Sequence, residues 1–297
     1  MKAKKEIGYI CVVISSMFWG TIPLFTRYLY QTGCSPVQVA GIRCYLVAVM
    51  ALIGLIVSKD IRRFSIKNIP FYLIYGILAI GGTFLAYAIS IERLSTATAA
   101  ILLYTAPAFV NILNWIIYKI PLTRIKITSL ILTFLGCALV SEVYDIQVLK
   151  GNAVGIIVGI LAGFLYSLTT VFGAKANKIY SGRMNGFLVQ IFGAVLFLFI
   201  LPPQKIFEIG LSVQQEIFFV ALALLSTFIP YTLYLYALGL KIDSGLASVM
   251  TNLEPVMATV YGMIILRENI GFIQLVGIFV VFVGVTIPIL KREGENV

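Results

Sequence analysis

The residues with the clearest chemical potential lie inside one apolar stretch, residues 244–266. Glu254 stands near its middle, two residues after Asn252 and directly before Pro255. At about 1.5 Å of rise per residue, a helix of this length crosses a hydrocarbon layer roughly 30 Å thick. A carboxylate at that depth costs at least about 2.5–3.5 kcal/mol unless it is paired, protonated or facing water. We therefore expect Glu254 to avoid lipid, as a proton acceptor, a partner for a ligand ammonium group or half of an ion pair.

A second charged side chain, Arg43, lies within another apolar stretch. It is roughly 10 Å deep from the outer side, whereas Glu254 is roughly 18 Å deep, and a long arginine side chain spans much of that difference. A structural ion pair would satisfy both charges without any ligand. The alternative is that Glu254 accepts a proton or binds the ammonium group of a ligand, and the sequence leaves both possibilities open.

Aromatic and amide side chains at interior positions of the apolar stretches are candidates for lining a cavity. A ring with one polar edge offers a small organic solute contact area and an oriented hydrogen bond. The ordinary alternative is an aromatic belt at the membrane surface. The candidates are Trp19, Tyr87, Tyr104, Tyr166, Tyr231, Tyr234 and Asn252.

Two prolines inside apolar stretches predict broken helices. Pro107 and Pro255 each lack a backbone N–H, so each leaves a carbonyl of the preceding turn without its helical partner. Irregular backbone at membrane depth is tolerated where it is buried in protein or lines a water-filled space. We expect helix breaks beside both prolines, near the candidate site.

Composition places the chain in a membrane. Of its 297 residues 60% are hydrophobic and 11% charged, and the mean hydropathy is +1.02. A net charge of +10 would fit a nucleic-acid partner only if the basic residues shared one face, and here they lie in short connecting loops. We expect the lipid bilayer and a small molecule as partners, and no nucleic acid.

The residue types that enzymes and metal sites need are scarce. The chain has no histidine, and its four cysteines show no CxxC spacing, so a zinc or disulfide framework is not expected. HExxH is impossible, and GxSxG and GxxxxGK[ST] are absent. The sequence predicts no catalytic residues, no metal and no cofactor, and therefore not an enzyme.

Ten apolar segments predict an all-α integral membrane protein with ten transmembrane helices. Sixteen of the 22 basic residues fall on one side of this arrangement, which places both termini in the cytoplasm. The segments cover residues 7–30, 36–57, 69–91, 96–118, 127–144, 151–173, 184–201, 216–238, 244–266 and 271–290.

The two halves of the chain repeat one another. A shift of 147 residues aligns Trp19 with Tyr166, and after a one-residue insertion near residues 239–242 a shift of 148 aligns Pro107 with Pro255. The register holds through all five helix pairs, which predicts repeats over residues 1–146 and 147–297. Because five is odd, the repeats must cross the membrane in opposite senses, an arrangement typical of secondary transporters.

Together these features resemble a known family. The pair Trp19–Gly20, the intramembrane Arg43, the proline at Pro107 and the run LEPVMATVYGMIILRE ending at Glu268 look like the drug/metabolite transporter superfamily, in particular its ten-helix EamA-type members. The chain departs from that pattern at Ile120, where the family often has an acidic residue matching Glu268.

The resemblance implies a multi-pass carrier of the inner (cytoplasmic) membrane. It would export a small organic metabolite, such as an amino acid or a related compound, through a cavity lined by helices 1, 3, 4, 6, 8 and 9. We expect secondary active transport by alternating access, and leave open proton coupling and homodimerisation. A channel or facilitator without ion coupling remains the alternative, since pores are also lined by common residues.

Overall fold

A computed structural model describes residues 2–94, 96–141 and 152–294. Within these ranges the chain is helical and contains no strand. The main helical segments are α1 (Ala3–Gln31), α2 (Pro36–Val57), α3 (Ile66–Arg93), α4 (Thr96–Tyr118), α5 (Arg124–Val140), α6 (Ala153–Ala176), α7 (Gly182–Ile200), α8 (Val213–Gly239), α9 (Ser244–Leu266) and α10 (Phe272–Gly294). A short helix, Pro203–Glu208, lies between α7 and α8.

Eight of these segments are long and apolar enough to cross a membrane. The other two are α5, with 17 residues, and α10, whose apolar part is Phe272–Pro288. The multi-pass membrane prediction is therefore confirmed, while the count of ten spans remains a prediction. The end of the predicted span 127–144, the start of the span 151–173 and the boundary between residues 146 and 147 lie outside the described residues.

Large apolar side chains cover the outside of the bundle. Phe199 is 82% exposed and Phe279 is 68% exposed, which suits contact with lipid chains. Buried polar side chains point inward: Ser90, Thr133 and Asn185 are all fully buried. Apolar side chains outside and polar side chains inside are expected for a protein in lipid, because an unsatisfied polar group in hydrocarbon costs several kcal/mol.

Three membrane helices are interrupted near their middle. The α-helical run of α4 pauses at Tyr104–Thr105, and that of α9 pauses at Thr251–Asn252. A proline follows each pause, so the missing N–H explains the lost helical bond. The breaks expected beside Pro107 and Pro255 are therefore present. A third interruption follows Trp19 in α1.

Backbone irregularities recur at the separations that relate the two halves of the sequence. π-Helical turns occupy Ile77–Gly82 in α3 and Leu224–Phe228 in α8, 147 residues apart at their starts. Left-handed residues end α4 at Lys119 and α9 at Arg267, 148 positions apart. The halves thus share local backbone geometry as well as weak sequence similarity.

Packing is mainly between the halves. α1 packs on α8, α3 on α6, α2 on α7 and α5 on α10. The last pair is closest: a Cβ added at Gly277 would lie 2.7 Å from the Val140 nitrogen and 2.9 Å from the Gly136 carbonyl oxygen. Small residues at such a crossing let helix backbones touch, which is how helices gain packing energy in lipid.

Replacing Gly277 by alanine should destabilise the protein, because the new methyl group meets backbone atoms that have no room to move. We expect a loss of about 1–3 kcal/mol, seen as a lower unfolding temperature in detergent. Gly262→Ala is the matched control, since its Cβ would meet only the flexible Glu268 carboxylate. Equal melting temperatures for the two variants would contradict the close α5–α10 crossing.

Candidate functional site

A cavity of about 360 Å³ lies between the two halves of the chain. Its wall includes residues of α1, α3, α4, α6, α8 and α9, the six helices that the resemblance implied, together with Arg43 from α2. At one end it reaches the α9–α10 loop, where Glu268 and Asn269 contribute to the wall, and Gln274 of α10 lies beside them. At the other end it stops at a cluster of aromatic rings.

The aromatic cluster surrounds Trp19, which is 2% exposed. The Trp19 ring meets Tyr231 edge-on with the ring centroids 5.2 Å apart, and Tyr166 at 6.2 Å. Tyr234 adds a third edge contact at 5.5 Å from the side facing away from the cavity. Edge-to-face pairs at such distances stabilise by about 0.5–1.5 kcal/mol each beyond their burial. The rings of Trp19, Tyr166 and Tyr231, backed by Tyr234, therefore close this end of the cavity, and we call these three rings the aromatic floor.

Glu254 is half-buried on the cavity wall. It lies in the first turn of the helix Leu253–Leu266, directly after the break in α9. Free N–H groups at such a helix start favour a negative charge. Among the described residues, none makes a hydrogen bond or a salt bridge with the Glu254 carboxylate. The carboxylate thus faces the cavity with no directly bonded partner in the described part of the chain.

Arg43 is 7% exposed and has partners other than Glu254. Its guanidinium donates to the Thr227 hydroxyl and, at 3.2 Å, to the Ser226 carbonyl oxygen, and it lies 4.1 Å from the Phe84 ring centroid. Both acceptors belong to the π-helical turn of α8, which widens the helix and frees carbonyl oxygens.

The structural ion pair between Arg43 and Glu254 is not formed within the described part of the chain. The Arg43 guanidinium instead donates hydrogen bonds to α8 and lies against the Phe84 ring, because both lie beside its own helix. Both side chains nevertheless line the same cavity. Two oppositely charged groups therefore share a wall without neutralising each other by direct contact.

The structure brings most of the sequence-predicted site residues together. Eight of them line the cavity: Trp19, Arg43, Tyr87, Tyr104, Tyr166, Tyr231, Glu254 and Pro255. Pro107 and Tyr234 lie beyond the aromatic floor, where the Tyr234 hydroxyl is 2.7 Å from that of Thr170. Asn252 is 2% exposed and does not reach the cavity; its carbonyl accepts a weak Cys137 thiol contact at 3.7 Å.

Sequence reasoning did not identify several wall residues. Phe84 was visible only as the repeat counterpart of Tyr231, and Thr83 and Thr259 are residue types too common in membrane helices to give a signal. The pair Arg27–Glu268, 2.5 Å apart at the cavity mouth, joins α1 to the α9–α10 loop. Both residues lie near the ends of their predicted spans, where a charged side chain reaches water easily. The free-energy cost of burying a charge in lipid, which drew attention to Arg43 and Glu254, therefore gave no signal for this pair.

This chain is similar to known transporters over nearly its whole length. The model of a family described as the EamA-like transporter family matches residues 6–142 and again residues 153–290. A protein of Clostridium kluyveri named "Uncharacterized transporter" is 26% identical, covering 97% of this chain and 95% of its own. "Uncharacterized transporter YxxF" of Bacillus subtilis is 24% identical, covering 98% and 92%. Among solved proteins, a crystal structure with the same fold has a TM-score of 0.78 at 14% identity over 99% of each chain.

Replacing Arg43 by lysine should destabilise the protein much more than the same change at Arg27. Lysine cannot reproduce the forked contact to Thr227 and Ser226, and each lost charged hydrogen bond is worth about 1.5–3 kcal/mol. The exposed pair of Arg27 with Glu268 is worth about 1 kcal/mol or less. Unfolding temperatures of Arg43→Lys and Arg27→Lys in detergent measure the difference, and equal values would contradict the assigned role of Arg43.

Proposed function

The chain belongs to the EamA-like transporter family, and we propose that it exports a small organic metabolite, such as an amino acid or a related compound, across the inner membrane. The observation that carries the proposal is the cavity between the halves, with Glu254 and Arg43 on one wall at mid-helix depth. Charges inside a membrane are retained mainly where they bind a solute or an ion.

We propose that the two halves are inverted repeats that expose the cavity alternately to the two sides of the membrane. The double match of the family model, to residues 6–142 and 153–290, supports two copies of one unit. The recurring π-helical turns and helix breaks support the same pairing of helices. An odd number of spans per copy would make the copies antiparallel, with the site near the midplane.

The described state is best interpreted as facing outward. The cavity extends to Glu268 in the α9–α10 loop, an end that the distribution of basic residues predicts to be outside. Toward the opposite end Tyr234 and Ser248 are only 2% and 3% exposed. A one-sided cavity favours a carrier over an open channel, because a channel needs a continuous path.

The wall chemistry favours a solute that carries both charges. Arg43 suits a carboxylate and Glu254 suits an ammonium group, while Trp19 and Tyr231 offer apolar faces and edges for a side chain. A solute with only one charge would leave the opposite group in the cavity uncompensated. We therefore place zwitterionic amino acids first among the candidate solutes.

A binding screen followed by counterflow tests this proposal. Purified protein is heated with single amino acids, nucleosides and organic cations. A ligand at 100 times its dissociation constant stabilises the folded state by about 2.7 kcal/mol and raises the melting temperature. We expect zwitterionic amino acids to give the largest shifts, and the same compounds to be exchanged across vesicle membranes with saturation and stimulation from the opposite side. Flux that grows linearly with concentration, without such stimulation, would favour the channel or facilitator instead.

Replacing Glu254 by glutamine should abolish coupled transport and leave folding intact. Glutamine has the same shape, and no described residue depends on the carboxylate as a partner. Flux into vesicles at several pH values measures the effect, with Glu268→Gln at the cavity mouth as the matched control. Normal flux in Glu254→Gln, with the pH dependence of the unmodified protein, would exclude a coupling role.

A further inference from the structure

A second and much smaller void lies directly beyond the aromatic floor. Its volume is about 10 Å³, room for roughly one water molecule. Tyr166 belongs to the wall of both spaces, so the void continues the main cavity toward the end of the bundle that carries Lys241.

The wall of this void repeats the wall of the main cavity. Eight of its nine residues are the repeat counterparts, 147 or 148 positions away, of residues that line the large cavity. From α6 and α8, Tyr166, Thr170 and Tyr234 correspond to Trp19, Pro23 and Tyr87. The void and the cavity are therefore related by the repeat: equivalent residues line both, and the cavity is open while the void is closed.

The same correspondence holds for the two broken helices. In the first half of α9, Ser248 and Thr251 take the places of Ala100 and Leu103, whereas in the second half of α4 Ala106, Pro107 and Val110 take those of Glu254, Pro255 and Ala258. Segments on opposite sides of each break thus line opposite ends of one path.

The chemistry of the two walls differs. Ala106 stands where the other half has Glu254, and Gln190 stands where the other half has Arg43, so the small void has no charged wall residue among those described. Hydroxyl groups replace apolar side chains instead. The Ser248 hydroxyl donates to the Gly245 carbonyl at 2.7 Å and the Thr251 hydroxyl to that of Ser248 at 2.6 Å. Each oxygen keeps lone pairs that can accept a hydrogen bond from a solute.

We propose that this void is the inner half of the solute path, collapsed in this structure, and that it opens into a neutral, hydroxyl-lined subsite. The inference rests on the alternating-access function proposed above. The opened subsite would accept hydrogen bonds from the polar groups of the solute without offering it a countercharge. A zwitterion would therefore be held more weakly there than beside Glu254 and Arg43, so the subsite would pass an entering solute on to those charges rather than retain it.

Several polar contacts hold the inner end closed, among them an ion pair between Lys126 and Asp243 at 3.4 Å. Tyr234 and Thr170 are joined across the void at 2.7 Å, and beyond it the Asn114 amide donates to the Ser244 hydroxyl at 3.0 Å. The side-chain carbonyl oxygen of Asn114 is buried and has no hydrogen-bond partner among the residues that the structure describes. An unsatisfied group of this kind raises the energy of the closed state and partly offsets these contacts.

Three single threonine-to-cysteine variants test the proposal in otherwise unmodified protein in vesicles. Thr251→Cys probes the void, Thr259→Cys probes the main cavity, and Thr133→Cys is a control in the α5–α10 contact. All three hydroxyls donate to a carbonyl three or four residues earlier, so the substitutions are matched. A charged, membrane-impermeant thiol reagent is added from either side, and mass spectrometry of the peptide carrying the new cysteine reports its modification.

We expect modification of Thr251→Cys from the side of Lys241, and of Thr259→Cys from the side of Glu268. The rate of modification of Thr251→Cys should exceed that of Thr133→Cys by about tenfold or more. The reason is that residue 251 becomes accessible whenever the minor open state forms, typically at a population of ~0.1–10%, whereas residue 133 stays within the α5–α10 contact. If Thr251→Cys reacts no faster than Thr133→Cys while Thr259→Cys reacts and flux persists, the inner subsite is wrong and the transporter stands. If Thr259→Cys is also unreactive and flux is absent, the proposed function fails with it.

Discussion

Two ionisable side chains inside membrane-spanning helices impose the constraint on which the rest of this structure depends. Arg43 and Glu254 cannot face lipid without a cost of several kcal/mol. The fold satisfies the arginine with an acceptor-rich π-helical turn of α8 and with the face of Phe84. It leaves the carboxylate at the start of a half-helix, beside a cavity. Both charged side chains therefore lie beside irregular backbone: Arg43 at the π-helical turn of α8 and Glu254 at the break in α9.

The second constraint is repetition. The break in α4 recurs in α9 and the π-helical turn of α3 recurs in α8, whereas the interruption of α1 has no counterpart in α6. The repeated irregularities accompany the cavity in one half and the small void in the other. The side chains are not repeated to the same degree. Glu254 corresponds to Ala106 and Arg43 to Gln190. Near-symmetric backbone geometry therefore carries asymmetric chemistry, so the proposed second state would bind a solute differently from the first.

Much of this arrangement could be predicted from the sequence, because burial in lipid leaves a strong signal. An acid or an arginine in an apolar segment must face protein or water, and Pro107 and Pro255 must interrupt their helices. The partner of Arg43 could not be predicted, since it depends on a widened turn that spacing does not reveal. The positions of Tyr234 beside the small void and of Asn252 outside both spaces could not be predicted either, since a place within an apolar segment does not show which face of the helix meets the cavity.

The claim that the halves open alternately is tested most directly by distances between spin labels. One pair of labels, at Thr96 and Asn269, spans the mouth of the main cavity; a second pair, at Pro121 and Lys241, spans the opposite end. Pulsed electron spin resonance in lipid should give two distances for each pair. Addition of a transported solute should shift them reciprocally, the first pair approaching as the second separates. A single unchanged distance at both ends, or both ends opening together, would contradict the account.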